Sequence, residues 1–446
     1  MTRTFSQELD YWDKKICKIA KSWGLDWHPI EYEICDYFDM MGSMTYSGLP
    51  IHYQHWSFGR DFERLQHMYD AGLEGLPYEL IINSNPSIAY LMRENELALQ
   101  VLIMAHCVGH SDFFKNNVTF SQTNPDTVLE RFKLAAKRIR HYAEDPSIGV
   151  ARVEDVMDAA RSLKYQSSRY PNIKRLTHAE QESKYRTLIQ NDKTGKYAKF
   201  DLDNFPLEPE RDILSFMIDS SSHLADWERD VVNIIHDEAL YFIPQIRTKI
   251  ANEGWASFIH YSILNELKLK PDFQMMFIQT HNQVIRPLTG RINPYHLGFN
   301  IFQRIHERSG MDKCLAVREC YSDETFVQEF VDEKLCYDLN LFSYSKKKPK
   351  VGNDYISIDD VSDEEGWKNV RNDLVRNVGV NSIPDISVIN VRNDGTLVLK
   401  HDHDGRDLEL NYAEKMVGHV KRLWGDAIIL ETVVEDEAFI IDDERV

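Results

Sequence analysis

The sequence predicts a mainly helical protein, with a large helical domain on the N-terminal side and a small α+β domain on the C-terminal side. Three observations support this class. Short helical patterns occur between loops over residues 1–120, and helical periodicity runs over 209–339. A charged stretch with proline and glycine covers 343–353, and strand and helix patterns alternate over 354–446. The chain has 446 residues, of which 43% are hydrophobic, so it has enough apolar material for a sizeable packed core.

The charge balance and the cysteines narrow the class of protein. Acidic residues outnumber basic ones by 71 to 52, a net charge of −19, which argues against a protein that mainly binds nucleic-acid phosphates. The six cysteines form no C-x-x-C pair and predict reduced thiols. The longest apolar run, Leu97–Gly109, is broken by Gln100 and His106 and is shorter than the ~20 residues of a membrane span. With a polar N-terminus that lacks a signal-peptide pattern, these features predict a cytoplasmic protein.

Two parts of the helical region have recognisable patterns. Residues 97–108 are apolar on nearly every face, which predicts a helix buried in the core. Helical periodicity also runs over 209–339, with one helix at Trp227–Ile243 and the next beginning at Pro244, a position where proline is tolerated.

The segment 129–200 has a different composition from the rest of the chain. It holds 16 Lys and Arg against 9 Asp and Glu, inside a strongly acidic protein. Apolar runs are sparse there, so the segment is predicted to be a solvated helical excursion on the surface with few core contacts. The alternative interpretation is a docking surface for an acidic partner.

The segment 343–353, rich in lysine, is predicted to be a linker between two domains. Beyond it the sequence predicts a compact α+β module over 354–446. Its expected elements are a strand at Tyr355–Ile358, a helix from Asp363, a hairpin of Ile386–Val391 and Thr396–Leu399 around Asn393-Asp394-Gly395, a helix at Ala413–Leu423 and a strand at Ala427–Val434.

Two histidines in the buried helix are the first candidates for chemistry. His106 and His110 are four residues apart and therefore lie on one helix face, where both imidazoles can approach one ion. Buried polar groups without partners cost about 1–3 kcal/mol each, so these side chains require either a metal ion or a polar network. The alternative is a purely structural core without metal, in which the histidine and glutamate side chains satisfy one another's hydrogen bonds.

A second helical segment at 249–260 offers a carboxylate in an equally apolar setting. Glu253 and His260 are seven residues apart and share a helix face. Two histidines four apart on one helix, with a glutamate on a later helix, resemble the His₂Glu zinc set of gluzincin metallopeptidases, some of which carry Glu-Gly-Trp-Ala around the third ligand. His106, His110 and Glu253 are therefore predicted to hold one divalent ion, zinc or iron, with His260 as a charge-stabilising or supporting group.

One departure from the gluzincin pattern concerns the general base. In H-E-x-x-H the glutamate directly follows the first histidine, but here that position is Cys107. The base is then expected from elsewhere, and the two candidates are Glu238 and Glu96. Otherwise the site binds metal without peptidase chemistry.

Short motifs of aromatic and polar residues are distributed along the helical region. They are Tyr53-Gln54-His55-Trp56-Ser57-Phe58-Gly59, Ile82–Pro86 with Ile88–Leu91, Ala105–His110 with Phe113–Asn117, Asp237–Phe242, Asn252–Ser257, Asn293-Pro294-Tyr295 with Leu297–Phe299, and Asp338–Phe342. In this combination the chain resembles the SpoVR family, the stage V sporulation protein R-like proteins of bacteria. The module after the linker is similar to the C-terminal domain of that family.

The resemblance implies a biological setting and no particular reaction. It implies a role in spore cortex formation, or in stationary-phase and stress physiology in bacteria that do not sporulate. It also implies two partners encoded nearby, a serine protein kinase and a von Willebrand-A-like protein.

Two functions from different classes follow from these observations. The first is a metal-dependent hydrolase that acts on an amide, in a peptide or a cell-wall precursor, with the ion held by His106, His110 and Glu253. The second is a non-catalytic regulatory or scaffold protein that works with the serine protein kinase system, in which the same cluster serves structure. The cysteine at position 107 favours the second, and the pairing of histidine and glutamate inside apolar helices favours the first.

Overall fold

The computed structural model describes residues 5–70, 79–170, 175–195, 202, 204–288, 291–347, 355–361, 363–364 and 366–442. Helices dominate these residues, and a small α+β region with a four-stranded sheet lies at the C-terminal side. The predicted mainly helical class with a C-terminal α+β module is therefore confirmed.

The helices of the described residues are numbered in chain order. They are α1 (Phe5–Ser22), α2 (Tyr37–Thr45), α3 (Trp56–Asp70), α4 (Leu97–Asn116), α5 (Val128–Glu144), α6 (Val150–Ser162), α7 (His178–Gln190), α8 (Ile213–Ser220), α9 (Asp226–Arg247), α10 (Lys249–Glu266), α11 (Pro271–Val284), α12 (Pro294–Cys320), α13 (Asp323–Phe330), α14 (Glu333–Asp338), α15 (Trp367–Asn377) and α16 (Leu410–Trp424). Two short 3-10 turns occupy Val118–Phe120 and Gly379–Ser382. Gly310 interrupts α12 with a non-helical, positive φ of 78°, a conformation that glycine adopts at little cost.

The strands of the described residues form three small sheets. They are β1 (Ile30–Cys35), β2 (Leu80–Ile82), β3 (Ser87–Met92), β4 (Phe342–Lys347), β5 (Tyr355–Val361), β6 (Ile386–Val391), β7 (Leu397–His401), β8 (Ile428–Val434) and β9 (Glu437–Asp442). The first sheet has the order β1-β3-β2, with β1 parallel and β2 antiparallel to β3. β4 and β5 pair antiparallel, and the last sheet has the order β6-β7-β8-β9 with a parallel β7–β8 pair. The predicted hairpin around Gly395 is present between β6 and β7, where Gly395 has a φ of +88°.

The described chain divides into two compact units. The first comprises residues 1–136 and 244–382, and the second comprises 137–243 and 383–446. This division differs from the expected boundary at 343–353, because Leu374 and Val378 of the α15 region are buried in the core of the first unit. Residues 343–347 belong to β4, and residues 348–353 of the expected linker lie outside the described residues.

The segment 129–200 also differs from the expected surface excursion. In the second unit α6 packs against α16 and buries Val153, Val156 and Met157, because its apolar residues recur at helical spacing within a polar sequence. By contrast α7 is largely exposed and buries only Gln181 among its residues. Residues 171–174 and 196–200 of the segment lie outside the described residues.

The core of the first unit is built around α4. By length and composition this helix could cross a membrane, the one such helix among the described residues, but 89% of its apolar window is buried inside the protein. It packs against α1 and α10, and α10 packs in turn against α12. The predicted buried helix at 97–108 is therefore present, and its apolar faces are covered by other helices of the same unit.

Glycines allow these central helices to approach closely. A Cβ atom on Gly109 of α4 would lie only 2.7 Å from Cα of Ala256 on α10. A Cβ atom on Gly254 of α10 would lie 2.3 Å from Cα of Gly298 on α12. Real Cβ atoms are essentially never found that close to backbone atoms. Glycine at these two positions is therefore what allows α10 to pack so closely against α4 and α12.

Candidate metal centre

The two histidines of α4 lie on one face of a buried helix, as their spacing predicts. His106 is 0% exposed and His110 is 4% exposed. Their Nε2 atoms converge on the same two carboxylates, because residues four apart point in similar directions. The Nε2 atom of His106 lies 2.9 Å from Oε1 of Glu79 and 3.8 Å from Oε2 of Glu253. For His110 the corresponding distances are 3.5 Å and 3.3 Å.

Glu253 is carried to the cluster by α10. The helix begins where the two carboxyl oxygens of Asp323 accept hydrogen bonds from the backbone N–H groups of Ile250 and Ala251, each at 2.9 Å. These bonds satisfy two of the donors that a helix N-terminus leaves without partners. Because Gly109 lets α10 approach α4, the first turns of α10 bring Glu253 beside both histidines.

Asp112 links α4 to both neighbouring helices, two residues beyond His110. The indole Nε1 of Trp255 on α10 donates to Oδ2 of Asp112 at 3.0 Å, and Nε of Arg318 on α12 lies 3.2 Å from the same oxygen. The backbone N–H of Asp26 donates to the other carboxylate oxygen at 2.8 Å. Burial raises the pKa of Asp112 to about 6, although the positive charge of Arg318 acts in the opposite direction. These bonds fix the helix that carries the histidines against the helix that carries Glu253.

Glu79 completes the cluster and was not predicted. It directly precedes β2, the short strand at one edge of the first sheet, and its side chain is 8% exposed. Its position in the sequence gives no spacing relation to the histidines, since the strands β2 and β3 with their connecting loops separate it from α4. The only signal was a carboxylate next to the apolar strand Leu80–Ile82, which is too common to indicate a ligand.

These four side chains form a group of suitable chemistry for a metal ion. One potential ligand atom from each of Glu79, His106, His110 and Glu253 lies within 4.8 Å of the others. Imidazole nitrogens and carboxylate oxygens are ordinary ligands of zinc and of non-haem iron. The structure therefore brings the three predicted ligands together and adds Glu79 to them, while the ion itself stays a prediction.

The ring nitrogens that face away from the cluster have buried partners. His110 Nδ1 lies 2.8 Å from Oδ1 of Asn252, and His106 Nδ1 lies 2.7 Å from Nδ1 of His260. The amide oxygen of Asn252 can only accept, so Nδ1 of His110 carries the hydrogen and donates it. The Nε2 lone pair of a neutral His110 then faces the carboxylates, which is the tautomer that a metal ligand requires.

The electrostatics of the cluster are dominated by burial and by the close opposite charges. Burial alone would raise the pKa of Glu79 and of Glu253, but the adjacent imidazoles of His106 and His110 hold both below the ordinary value for glutamate. Burial would lower the pKa of His110, but hydrogen bonds to Glu253 and Glu79 raise it to about 10. Without metal, the proton on His110 therefore offsets part of the charge of the two carboxylates, and a divalent ion would replace that proton.

Two further imidazoles extend the cluster away from the carboxylates. His260 is 0% exposed, and its Nε2 lies 2.8 Å from Nδ1 of His281 on α11. Burial and the neighbouring imidazoles lower the pKa of His260, and burial and His106 lower the pKa of His281 to about 4. Both rings are therefore neutral at pH 7. His260 was predicted as a supporting group, whereas His281 was not singled out in the sequence.

Tyr295 approaches the cluster from the start of α12. Its hydroxyl is hydrogen-bonded to the carboxylate of Glu253, and its ring centroid lies 6.2 Å from that of His106. Burial and the negative charges of Glu253 and Glu79 raise the pKa of Tyr295 well above its ordinary value, so the hydroxyl keeps its proton. The side chain of Asn293 accepts from the backbone N–H of Tyr295 at 3.0 Å, which fixes the beginning of the helix.

The structure places the two predicted general bases, Glu96 and Glu238, at the start of α4 and on α9. Glu96 is exposed at the N-cap of α4, ten residues before His106, which corresponds to roughly 15 Å along a helix axis. Glu238 lies on α9 in the second unit, where Oε1 is 3.9 Å from Nη1 of Arg161. Neither belongs to the cluster of described residues, whereas Glu79 supplies a carboxylate directly beside the histidines.

Two family models match the sequence over nearly the whole chain. The family model described as "SpoVR like protein" matches residues 3–383, and the model described as "SpoVR-like C-terminal domain" matches residues 384–435. The chain belongs to the SpoVR family, which confirms the resemblance noted in the sequence.

A relative from a well-known bacterium shares this family. The chain is 33% identical over 479 residues to the Escherichia coli (strain K12) protein named "Uncharacterized protein YcgB", covering 96% of this chain and 92% of the relative. No solved structure matches the chain significantly. The site geometry therefore carries the functional argument.

Proposed function

We propose that this SpoVR-family protein is a metal-dependent hydrolase that cleaves an amide bond at the cluster of Glu79, His106, His110 and Glu253. The observation that carries the proposal is the convergence of four ligand atoms within 4.8 Å in a buried part of the first unit. Burying two carboxylates beside two imidazoles is costly unless a cation or protons compensate their charge. A bound divalent ion compensates that charge and gives the arrangement a chemical use.

Within this proposal, His106, His110 and Glu253 hold the ion, as in a His₂Glu set with one position left for water or substrate. When bound, the ion supplies Lewis-acid activation of water and polarises the carbonyl of the amide. The three residues come from two helices that are fixed to each other by the bonds of Asp112 and by the close approach at Gly109. Such fixed ligands preserve the geometry through a reaction cycle.

Glu79 is assigned the role of general base. Cys107 occupies the position that holds the base in H-E-x-x-H, and its side chain is 0% exposed within the core. Burial raises the pKa of the Cys107 thiol well above its ordinary value, so it remains a neutral thiol and cannot accept a proton from water at pH 7. Glu79 is ionised beside both histidines, and its Oε2 atom is buried without a hydrogen-bond partner among the described residues. That oxygen is available to accept a proton from an attacking water.

Tyr295 completes the set of groups around the cluster. Its protonated hydroxyl donates to Glu253, which orients that carboxylate. The hydroxyl has one hydrogen, which can be donated instead to an oxygen that becomes negative as the amide carbonyl is attacked.

A second candidate function follows from the same count of ligands. Four protein groups can fill a tetrahedral zinc site completely, and such closed sites are structural. In that case Glu79 is a fourth ligand, and the protein is a non-catalytic regulatory or scaffold protein. Its proposed partners are then a serine protein kinase and a von Willebrand-A-like protein, and membership of the SpoVR family supports this setting.

The proposed biological role follows from the family and is shared by both candidates. We assign the protein to spore cortex formation or to stationary-phase and stress physiology. An amide hydrolase fits either setting, with a peptide or a cell-wall precursor as substrate.

Three glutamine variants separate the two candidates. Purified wild-type protein is analysed for zinc and iron, and hydrolysis is measured with peptides and with amides of cell-wall precursors. Glu253→Gln should lose most of the bound metal, because it removes an anionic ligand while keeping the shape. Glu79→Gln should keep its metal and lose hydrolysis if Glu79 is the base. Glu96→Gln, at an exposed position of the same helix as the histidines, is the matched control and should behave like the wild type.

Loss of metal in both Glu79→Gln and Glu253→Gln would instead support the closed, non-catalytic site. If wild-type protein is purified without chelators and takes up neither zinc nor iron, the metal site that both candidate functions assume would be refuted.

A further inference from the structure

Three buried imidazoles are joined end to end, starting at the candidate metal centre. His106 Nδ1 lies 2.7 Å from His260 Nδ1, and His260 Nε2 lies 2.8 Å from His281 Nδ1. All three side chains are buried, at 0%, 0% and 3% exposure. The chain spans three helices, because His106 is on α4, His260 on α10 and His281 on α11.

The tautomers of these rings depend on one another. A neutral imidazole has one nitrogen with a hydrogen and one with a lone pair, and two ring nitrogens form a hydrogen bond only when one donates to the other. A metal ligand must present a lone pair, so Nε2 ligation by His106 requires the hydrogen on its Nδ1. That hydrogen is donated to Nδ1 of His260, whose own hydrogen is then on Nε2 and is donated to Nδ1 of His281.

The opposite arrangement is incompatible with metal binding. If His281 donates from Nδ1, then His260 accepts at Nε2 and donates from Nδ1 to His106. His106 then carries its hydrogen on Nε2, which lies 2.9 Å from Oε1 of Glu79. The lone pair of His106 then faces His260 and not the ion.

We propose that His281 is a positioning residue for the metal centre, which acts through His260 to hold His106 in the tautomer that presents its Nε2 lone pair to the ion. The hydrogen bond of His281 within this row of three histidines is to His260, and not to His106 or to the cluster itself. Its contribution is to accept the hydrogen of His260, so that His260 is left free to accept at Nδ1. The inference rests on the metal centre of the proposed function, and it concerns binding of the ion and not hydrolysis.

The surroundings of His281 offer a matched set of variants. His281→Phe keeps an aromatic ring among Tyr261, Phe277 and Phe299, whose centroids lie 4.8, 6.0 and 4.8 Å away, but removes the acceptor. His281→Asn can place an amide oxygen near the position of Nδ1 and restores an acceptor. Phe277→Leu on the same helix disturbs the packing beside both His260 and His281 and leaves the hydrogen bonds in place.

The test is a zinc titration of the metal-free full-length proteins against a competing chelating indicator. His281→Phe should bind zinc about 10–100-fold more weakly than the wild type, the loss found when a partner of a metal-bound histidine is removed. His281→Asn should recover most of that loss, and Phe277→Leu should bind like the wild type. Equal zinc affinity of His281→Phe and the wild type would overturn the proposal. Equal weakness of Phe277→Leu and His281→Phe would also overturn it, because packing would then explain the effect.

A second readout reports the tautomers directly. In zinc-loaded wild-type protein, ¹⁵N spectra of the imidazoles should place the hydrogen of His260 on Nε2 in a single tautomer, whereas His281→Phe should give a mixture. A hydrogen on Nδ1 of His260 in the zinc-loaded wild type would refute the chain, even if no His281 variant folds. Wild-type protein that binds zinc but cleaves no amide would refute the proposed hydrolase and leave the role of His281 intact, and wild-type protein that binds no zinc would refute both.

Discussion

Replacing Gly109 by alanine tests whether the contact between α4 and α10 positions the candidate metal centre. A Cβ atom at this position would lie 2.7 Å from Cα of Ala256, whereas ordinary contacts begin at 3.4 Å, so the two helices must separate by roughly 0.7 Å. The obstructing atom belongs to the backbone and cannot rotate away. Overpacking of this kind costs about 1–3 kcal/mol, and the higher helix propensity of alanine returns up to about 1 kcal/mol. We expect a net loss of about 1–2 kcal/mol in the free energy of unfolding.

The same variant should weaken zinc binding. The ligands His106 and His110 lie on α4 and Glu253 lies on α10, so separating the helices lengthens the distances between them. Metal–ligand distances tolerate only about 0.2 Å of error, which is smaller than the expected separation. The assays are urea denaturation of the metal-free protein and zinc titration against a chelating indicator.

Two other glycines provide a graded comparison. Gly59→Ala in α3 has no atom within 4 Å of the new Cβ, so it should stabilise the protein by up to about 1 kcal/mol and leave zinc binding unchanged. Gly254→Ala would place Cβ 2.3 Å from Cα of Gly298 and should cost more than Gly109→Ala. If Gly109→Ala proves as stable as Gly59→Ala and binds zinc with wild-type affinity, the reasoning about the helix contact is refuted.

Three further predictions concern charge and packing. The pKa of Asp323 is raised to about 8 by burial, so its carboxyl group keeps a proton in the folded state that it releases near pH 4 in the unfolded state. Between pH 4 and pH 8, the free energy of unfolding of the wild type relative to Asp323→Asn should therefore fall by up to about 1.4 kcal/mol per pH unit. A difference between the two proteins that does not change with pH in denaturation experiments would contradict this. The pKa of His110 is raised to about 10, so zinc binding near pH 8 should displace a proton from this imidazole. The released protons can be counted by calorimetry, because the measured binding enthalpy then depends on the ionisation enthalpy of the buffer. A binding enthalpy that is the same in all buffers would argue against ligation by Nε2 of His110. In the second unit, Met157→Ala should lower the free energy of unfolding by about 2–5 kcal/mol because Met157 is buried, whereas Lys184→Ala at an exposed position should lower it by at most about 0.5 kcal/mol. Equal effects in denaturation experiments would instead support the prediction that 129–200 is a surface excursion with few core contacts.

Part of the candidate site could be predicted because helical spacing is a local property. His106 and His110 share a face at any four-residue spacing in a helix, and Glu253 stood out as a carboxylate in an apolar helix. Glu79 could not be predicted, because its contact with His106 depends on the fold that brings the start of β2 to α4. His281 was hidden for the same reason, since its relation to His260 is set by the packing of α11 on α10.

The domain boundaries show a similar limit. The composition of 343–353 predicts a linker, but composition does not report that α15 packs against α13 and α14 of the first unit. In α5 the basic residues Lys133, Lys137, Arg138 and Arg140 are exposed. Counting charges over the whole segment 129–200 conceals the apolar stripe of α6. By contrast, the hairpin at Gly395 depends on a tight turn with a positive φ, and its sequence signal is specific.

The separation of the ligands along the chain also orders events during synthesis. His110 and Asn252 are in contact although they are 142 positions apart in sequence, so the cluster is incomplete until α10 has emerged from the ribosome. At a synthesis rate of about 5–20 residues per second, roughly 7–30 s pass between the synthesis of α4 and that of α10, which covers part of its apolar surface. Metal cannot be held by His106, His110 and Glu253 during that interval. Occupancy of the proposed metal centre would therefore mark a chain whose first unit has closed.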